Sequence, residues 1–192
     1  MDSERSFLMP LDRCFVEHCS PTLANLKTAS LFSCSYTSEQ DLLQLTHGWS
    51  TAFQPKGVLV RVLRMKAGKA LIYVYRPERL SRDLRRPGVK EFLTSCGYTS
   101  ISLEYALERL SARLSCNDEF PHEIGLFLDY PLGDVQGFIQ NGGANYKCSG
   151  CWKVYCNECE TEKRFQKFQK CRGVYLRLFG CGRSVLQMTV AA

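Results

Sequence analysis

The chain has 192 residues, of which 45% are hydrophobic and 23% are charged, a balance typical of ordinary folded proteins rather than disordered ones. A chain of this length can bury one sizeable core, so we expect a single domain over residues 1–192. No stretch approaches ~18 uninterrupted apolar residues, which argues against a membrane span. The first residues, Met-Asp-Ser-Glu-Arg, lack the basic start and apolar run of a signal peptide, so we expect a cytoplasmic protein.

The net charge of +6 is concentrated in one part of the chain. Residues 56–90 contain eleven Lys and Arg side chains against two acidic residues, a local charge of +9, so the remainder carries −3. Such a segment can contact the phosphates of a nucleic acid or bind a small anionic ligand. The alternative is a solvated basic face, and nucleic acid is the less favoured partner because no nucleic-acid-binding motif is present. The candidate ligand-binding residues are Arg76, Arg79, Arg82 and Arg86.

The N-terminal third is predicted to be helical. Apolar and small residues recur at helical spacing over residues 11–19. Ser20-Pro21 is predicted to start a second helix that extends to Leu31, since Ser is a good N-cap and Pro fits the first helical position. Ser38 is predicted to cap a third helix. Lys27 falls on the second helix, where we expect a solvent-facing side chain, with anion binding as the alternative.

The middle and the end of the chain are predicted to supply the strands. Two runs, residues 58–65 and 70–75, flank a short Gly-containing turn and predict a β-hairpin. Helices are predicted to follow it. A strand over 152–155, an amphipathic helix over 160–179 and a last strand over 184–190 predict a strand–helix–strand unit with a right-handed crossover. The order predicts an α+β fold with a small mixed sheet of about four strands.

Four of the eleven cysteines form the motif Cys148-x2-Cys151-x4-Cys156-x2-Cys159. Paired CxxC units can bind zinc or an iron–sulfur cluster, because thiolates are soft, charged ligands. The four residues between the pairs resemble a strand, which would hold Cys151 and Cys156 roughly 16 Å apart at ~3.3 Å per residue, too far for one metal ion. Free thiols are therefore the favoured interpretation, and a metal site or a redox CxxC pair are the alternatives.

Three residues are candidates for acid–base catalysis: His18, His122 and Glu123. His122 and Glu123 are adjacent, and adjacent helical side chains point ~100° apart, so they do not converge on one atom. Neither the zincin nor the deaminase pattern is present. The favoured interpretation is structural, with Glu123 stabilising a helix N-terminus and His18 continuing an apolar helical stripe.

Several segments spread over nearly the whole chain carry a resemblance to a known family. They are His18-Cys19-Ser-Pro-Thr-Leu-Ala-Asn-Leu-Lys27-Thr28, Val74-Tyr75-Arg76-Pro77, Phe120-Pro-His-Glu-Ile-Gly-Leu-Phe-Leu-Asp-Tyr-Pro131, Gly137-Phe138-Ile139 and Trp152-Lys-Val-Tyr155. By these segments the sequence resembles a bacterial family catalogued as a domain of unknown function and found chiefly in Gram-positive anaerobes. The resemblance implies a small, cytosolic, single-domain bacterial protein, and it implies no activity.

The sequence contains no complete catalytic constellation, and its positive charge is concentrated. These two observations favour a protein that binds a partner or a small anionic ligand, and they leave enzymatic activity open. The alternative function is a cysteine-dependent redox or metal protein, with zinc or an iron–sulfur cluster held by the Cys148–Cys159 motif.

Overall fold

The computed structural model describes residues 11–116 and 120–192. Within these ranges the chain forms helices and two small antiparallel sheets, which confirms the α+β class. The helices are α1 (Leu11–Leu23), α2 (Glu39–Phe53), α3 (Pro77–Leu84), α4 (Val89–Ser95), α5 (Leu103–Ser115), α6 (Ile124–Phe127), α7 (Leu132–Gln140), α8 (Glu158–Gly180) and α9 (Val185–Met188), with a 3-10 turn at Gln54–Lys56. The strands are β1 (Ala29–Ser35), β2 (Leu59–Lys66), β3 (Lys69–Tyr75), β4 (Cys148–Ser149) and β5 (Lys153–Val154).

The larger sheet has the order β1-β3-β2, and the predicted hairpin forms its β2–β3 pair. Both neighbours of β3 run antiparallel to it, so Tyr75 faces Ala29 on one side and Leu59 on the other. The side chains of β3 alternate between two cores: Tyr73 belongs to one and Val74 to the other. A central strand that is apolar on both faces requires a helical layer on each side.

The two helical layers differ in origin. Residues of α1, α2, α8 and α9 form one core, where the ring of Phe15 meets Phe53 edge-on at 5.4 Å. Residues of α3, α4, α5 and α6 form the core on the opposite face, with Leu80, Leu107 and Phe127 fully buried. A third, smaller cluster joins the β4–β5 hairpin to the first half of α8. No helix in the described part of the chain is long and apolar enough to cross a bilayer.

The predicted second helix is wrong, because residues 29–35 form β1. Helix α1 continues through Pro21, and Asn25 then adopts a left-handed conformation with φ of 59°. A left-handed residue of this kind commonly ends a helix. Residues 29–35 pair with β3. The spacing of the leucines is compatible with a helix, but pairing with a distant strand determines the structure here.

The predicted last strand is also wrong, because residues 185–188 form α9. The Ser184 side chain accepts from the N–H of Gln187, whose side chain in turn accepts from the Ser184 N–H. This reciprocal capping box is a local signal for a helix start. The strand–helix–strand unit therefore does not form, and the sheets in the described ranges are antiparallel rather than mixed.

Candidate functional site

Lys27 lies in the short connection between α1 and β1, which is held from several sides. Its backbone N–H donates to the carbonyl of Pro21 at 3.1 Å. The next residue, Thr28, donates through its hydroxyl to the carboxylate of Asp83 and accepts from the N–H of Arg76 at 2.9 Å. These bonds fix the backbone on both sides of Lys27, so the direction of its side chain is determined by the fold.

The Lys27 side chain is buried, with 9% of its surface exposed, so the prediction of a solvent-facing lysine is wrong. Its Nζ lies 5.4 Å from the centre of the Tyr130 ring. Within residues 11–116 and 120–192 no hydrogen bond or ion pair reaches this amine. Burial lowers the pKa of Lys27 below its usual value, although Cys151 and Asp129 act in the opposite direction.

The nearby carboxylate of Asp129 is bound by other cations. Arg164 contacts one of its oxygens at 2.7 Å, and Arg86 approaches the other at 3.6 Å. Asp129 is 4% exposed, so these arginines neutralise a buried charge. As a result, the carboxylate that could have paired with Lys27 is already satisfied.

A cavity of about 460 Å³ opens beside Lys27, and we refer to it as the lysine cavity. His18 and Arg172 also line it, together with Glu17. The Glu17 carboxylate is bound by Arg13 at 2.7 Å. The lysine cavity is therefore lined by the unpaired amine of Lys27, by the guanidinium of Arg172, and by Glu17, an acid that is already paired.

A second cavity, of about 330 Å³, adjoins the first, and we refer to it as the aromatic cavity. Its rings are those of Phe120, His122, Tyr130, Phe138 and Trp152. The two cavities share four lining residues, Leu31, Leu128, Tyr130 and Cys151. Each volume falls in the range of small-molecule sites, roughly 300–1,000 Å³.

Tyr130 forms the wall between the two cavities. Its ring stacks on Trp152 with centroids 4.5 Å apart and planes inclined by 23°. Burial raises the pKa of the Tyr130 phenol to about 12, so the hydroxyl stays neutral near pH 7 and offers no negative charge to Lys27. A stacked pair of this kind provides a flat, rigid face for an aromatic or planar ligand.

The three acid–base candidates lie apart. His18 lines the lysine cavity and stacks on Phe32 at 5.6 Å. His122 lines the aromatic cavity. Glu123 lines neither cavity, is 2% exposed and is bound by Arg113. The structure does not bring the three together in one cavity, and catalysis by them stays a prediction.

Arg76 is the most enclosed of the four predicted ligand-binding arginines, with 1% of its surface exposed. Its guanidinium donates to four backbone carbonyls from three parts of the chain. These carbonyls belong to Thr22 (2.7 Å), Leu23 (2.9 Å), Lys56 (3.3 Å) and Val190 (2.7 Å). The contacts engage its Nε and both terminal nitrogens, so Arg76 ties the ends of α1 and of the chain to the sheet.

Of the other three arginines, Arg79 and Arg82 lie on α3 and Arg86 follows it, and each has different contacts. Arg79 donates to the carbonyl of Asn25, and Arg86 binds Asp83. Arg82 is exposed. Much of the basic segment therefore serves internal contacts, and its binding to an anionic ligand, a nucleic acid or a protein partner stays a prediction.

The segment that carries Cys148 and Cys151 turns instead of running straight. Cys148 faces Val154 across the β4–β5 hairpin, which shortens the strand predicted over 152–155 to two residues. Cys151 lies in the wall shared by the two cavities, whereas Cys156 contacts the Asp134 carboxylate at 3.1 Å.

The described ranges contain one group of three or more Cys, His, Asp or Glu side chains that could hold a metal ion. Cys148, Glu158 and Glu162 hold their ligand atoms within 4.8 Å of one another. The other three cysteines of the motif do not belong to this group, and Cys159 is exposed. The four-cysteine site stays a prediction, and the geometry offers one thiol with two carboxylates.

The family described as "Protein of unknown function (DUF3793)" matches residues 15–189. The chain belongs to this family. No curated protein and no solved structure matches the chain significantly. The family description assigns no activity, so the chemistry of the site rests on the residues gathered around Lys27.

Sequence reasoning missed the site because its parts come from distant segments. Lys27 precedes β1, Tyr130 precedes α7, and Cys151 lies in the β4–β5 hairpin. A local signal did exist at Asn25, since Asn tolerates the left-handed conformation that ends a helix. It could have indicated that Lys27 follows a turn, but not that the side chain is buried.

Proposed function

We propose that the protein binds a small anionic ligand in the lysine cavity, with a flat apolar part of the ligand against the ring of Tyr130, which stacks on Trp152. The observation that carries this proposal is the amine of the buried Lys27 side chain, which lines the cavity and has no hydrogen bond or ion pair in the described part of the chain. A buried charge without a partner is costly, so an anion that reaches it gains a strong electrostatic contact.

The surroundings of Lys27 select the charge and the shape of the ligand. Arg172 lines the same cavity and adds a second positive group, while the acids Glu17 and Asp129 are paired with arginines. The stacked rings of the wall favour a planar body. A carboxylate or phosphate on a single aromatic ring meets these requirements at the size of the two cavities.

Calorimetric titration with phenyl phosphate, benzoate and inorganic phosphate tests this proposal. We expect the two aromatic anions to bind more tightly than inorganic phosphate. Lys27→Met should weaken their binding roughly 10- to 100-fold, because it removes a charged hydrogen-bond donor. Lys27→Arg should retain part of it. Lys90→Met is the matched control, since Lys90 is exposed and lines neither cavity.

Two results would overturn this proposal. The first is that the wild-type protein binds none of the three probes at ~10 mM, because a dissociation constant above that concentration is too weak for a functional site. Equal affinities in the wild type and Lys27→Met is the second, because the amine would then contribute nothing.

A second candidate function, metal binding, is favoured by the proximity of Cys148, Glu158 and Glu162. A thiolate and two carboxylates can hold zinc with water as a fourth ligand. Elemental analysis after zinc exposure should find stoichiometric metal that Cys148→Ser abolishes and Cys159→Ser leaves in place. Loss in both variants would indicate the four-cysteine site instead, and a zinc-free wild type would rule out both arrangements.

A further inference from the structure

The Lys27 amine differs from the guanidinium groups of buried Arg76 and half-buried Arg164 in having no hydrogen-bond or ion-pair partner in the described ranges. Arg76 is bound to carbonyl oxygens, and Arg164 binds Asp129. Lys27 is nine-tenths buried, and within the two described ranges no oxygen atom is hydrogen-bonded to its Nζ. An amine in this position can act as a nucleophile as well as bind an anion, because no group in the described part of the chain is hydrogen-bonded to its nitrogen.

We propose that Lys27 forms an imine with a small aldehyde or ketone that carries an anionic group. This inference rests on the proposed function, because the ligand would occupy the same lysine cavity. It adds the chemical class of the ligand and a reversible covalent bond to the protein.

The buried position favours the reactive form of the amine. An amine attacks a carbonyl carbon only when it is neutral, because the protonated nitrogen has no free electron pair. Burial removes water from the ammonium form and lowers the pKa of Lys27. Desolvated lysines in apolar surroundings are the usual imine-forming nucleophiles of proteins for this reason.

The reaction is balanced without an additional reagent. The electron pair of Nζ forms a bond to the carbonyl carbon, and the carbonyl oxygen gains a proton to give a carbinolamine. The C–O bond then breaks, and the oxygen leaves as water with the two protons that began on the amine. The product is a C=N double bond. No atom is oxidised or reduced overall.

The cavity provides a place for the rest of the ligand. Once Lys27 is bound to the carbonyl carbon, Arg172 and His18 remain in the lysine cavity to face an anionic group. The ring of Tyr130 lies against the Lys27 amine and stacks on Trp152, so a planar ligand conjugated with the imine can lie along this wall.

Pyridoxal 5′-phosphate is a suitable probe, because it joins an aromatic aldehyde to a phosphate. The native protein is mixed with less than one equivalent, reduced with borohydride to make the bond permanent, and digested for peptide mass spectrometry. We expect labelling at Lys27 to exceed that at exposed Lys90 by about tenfold or more, because binding places the aldehyde beside an amine whose pKa is lowered by burial.

Two variants distinguish an imine on Lys27 from binding by charge alone and from reaction at Cys151. Lys27→Arg keeps a positive charge but cannot form an imine, so it should lose the label while still binding phenyl phosphate. Cys151→Ser removes the thiol that shares the cavity wall. It should keep the label, because burial raises the pKa of Cys151 and disfavours its reactive thiolate.

The outcomes for the two proposals differ. Labelling of Lys27 at no more than the level of Lys90 overturns the imine, whatever the probe does elsewhere. If Lys27→Met then still weakens phenyl phosphate binding, anion binding stands alone. If labelling is specific but the wild type and Lys27→Met bind phenyl phosphate with equal affinity, the imine proposal stands and the proposal that the amine binds an anion is wrong.

Discussion

The indole Nε1–H of Trp152 donates a hydrogen bond of 2.8 Å to one carboxylate oxygen of Asp134, and both residues are buried. The other oxygen accepts from the backbone N–H groups of Tyr155 and Cys156, each at 2.8 Å. One carboxylate on α7 therefore holds the β4–β5 hairpin in place. Because this hairpin brings Trp152 and Cys151 into the cavity walls, Asp134 positions the site without lining the lysine cavity.

Asp134→Ala should destabilise the protein by about 3 kcal/mol, because the buried indole N–H of Trp152 and two part-buried backbone N–H groups lose a charged acceptor. Chemical denaturation measures the change as a shift in the free energy of unfolding. Asp41→Ala is the control: Asp41 is exposed in the first turn of α2, where loss of its charge costs less than about 1 kcal/mol. Equal effects of the two substitutions would show that the Asp134 network contributes little.

Local patterns predicted much of the fold, but the site depends on contacts between distant segments. The β2–β3 hairpin and α8 could be predicted because turn chemistry and helical spacing act over a few neighbours. The strand at residues 29–31 could not, since these residues pair with residues of β3 more than 40 positions away. The burial of Lys27 depends on Tyr130, and no periodicity in the sequence relates the two.

Arg76→Met should destabilise the protein by about 3 kcal/mol or more, because four backbone carbonyls lose their donor and those that stay buried are left unsatisfied. Arg82→Met, on the exposed side of α3, should change the free energy of unfolding by less than about 0.5 kcal/mol. Urea titration of both variants makes the comparison. A small effect of Arg76→Met would mean that its bonds are dispensable, and would leave Arg76 available as a ligand residue.

The cysteines should separate into two classes on alkylation with iodoacetamide near pH 8. We expect the native protein to be modified at the exposed cysteines Cys116, Cys159 and Cys181, and more slowly at exposed Cys151, whose thiol pKa is raised by burial. Cys14 and Cys19 should react only after unfolding, since both are buried and burial raises the pKa of each thiol. Peptide mass spectrometry identifies the cysteines that are alkylated before and after denaturation. Native modification of Cys19 would contradict the packing of α1.

Lys27→Met should make the protein more stable at about pH 7, by roughly 1–3 kcal/mol, because it removes an unpaired buried charge and leaves an apolar chain of similar length. The gain should depend on pH. A lysine whose pKa is lower in the folded state than in the unfolded state binds fewer protons when folded, so wild-type stability rises with pH between those two values. The advantage of the variant therefore shrinks as the pH approaches 10.5, the ordinary lysine value.

Denaturation at several pH values between about 7 and 10 measures this dependence. Lys90→Met should show no such trend, because Lys90 is exposed. A variant that is more stable yet no longer binds anions would mean that the protein retains Lys27 at a cost in stability, which is typical of functional residues. If Lys27→Met is instead less stable at pH 7, the amine is already satisfied by the protein, and both proposals for it lose their basis.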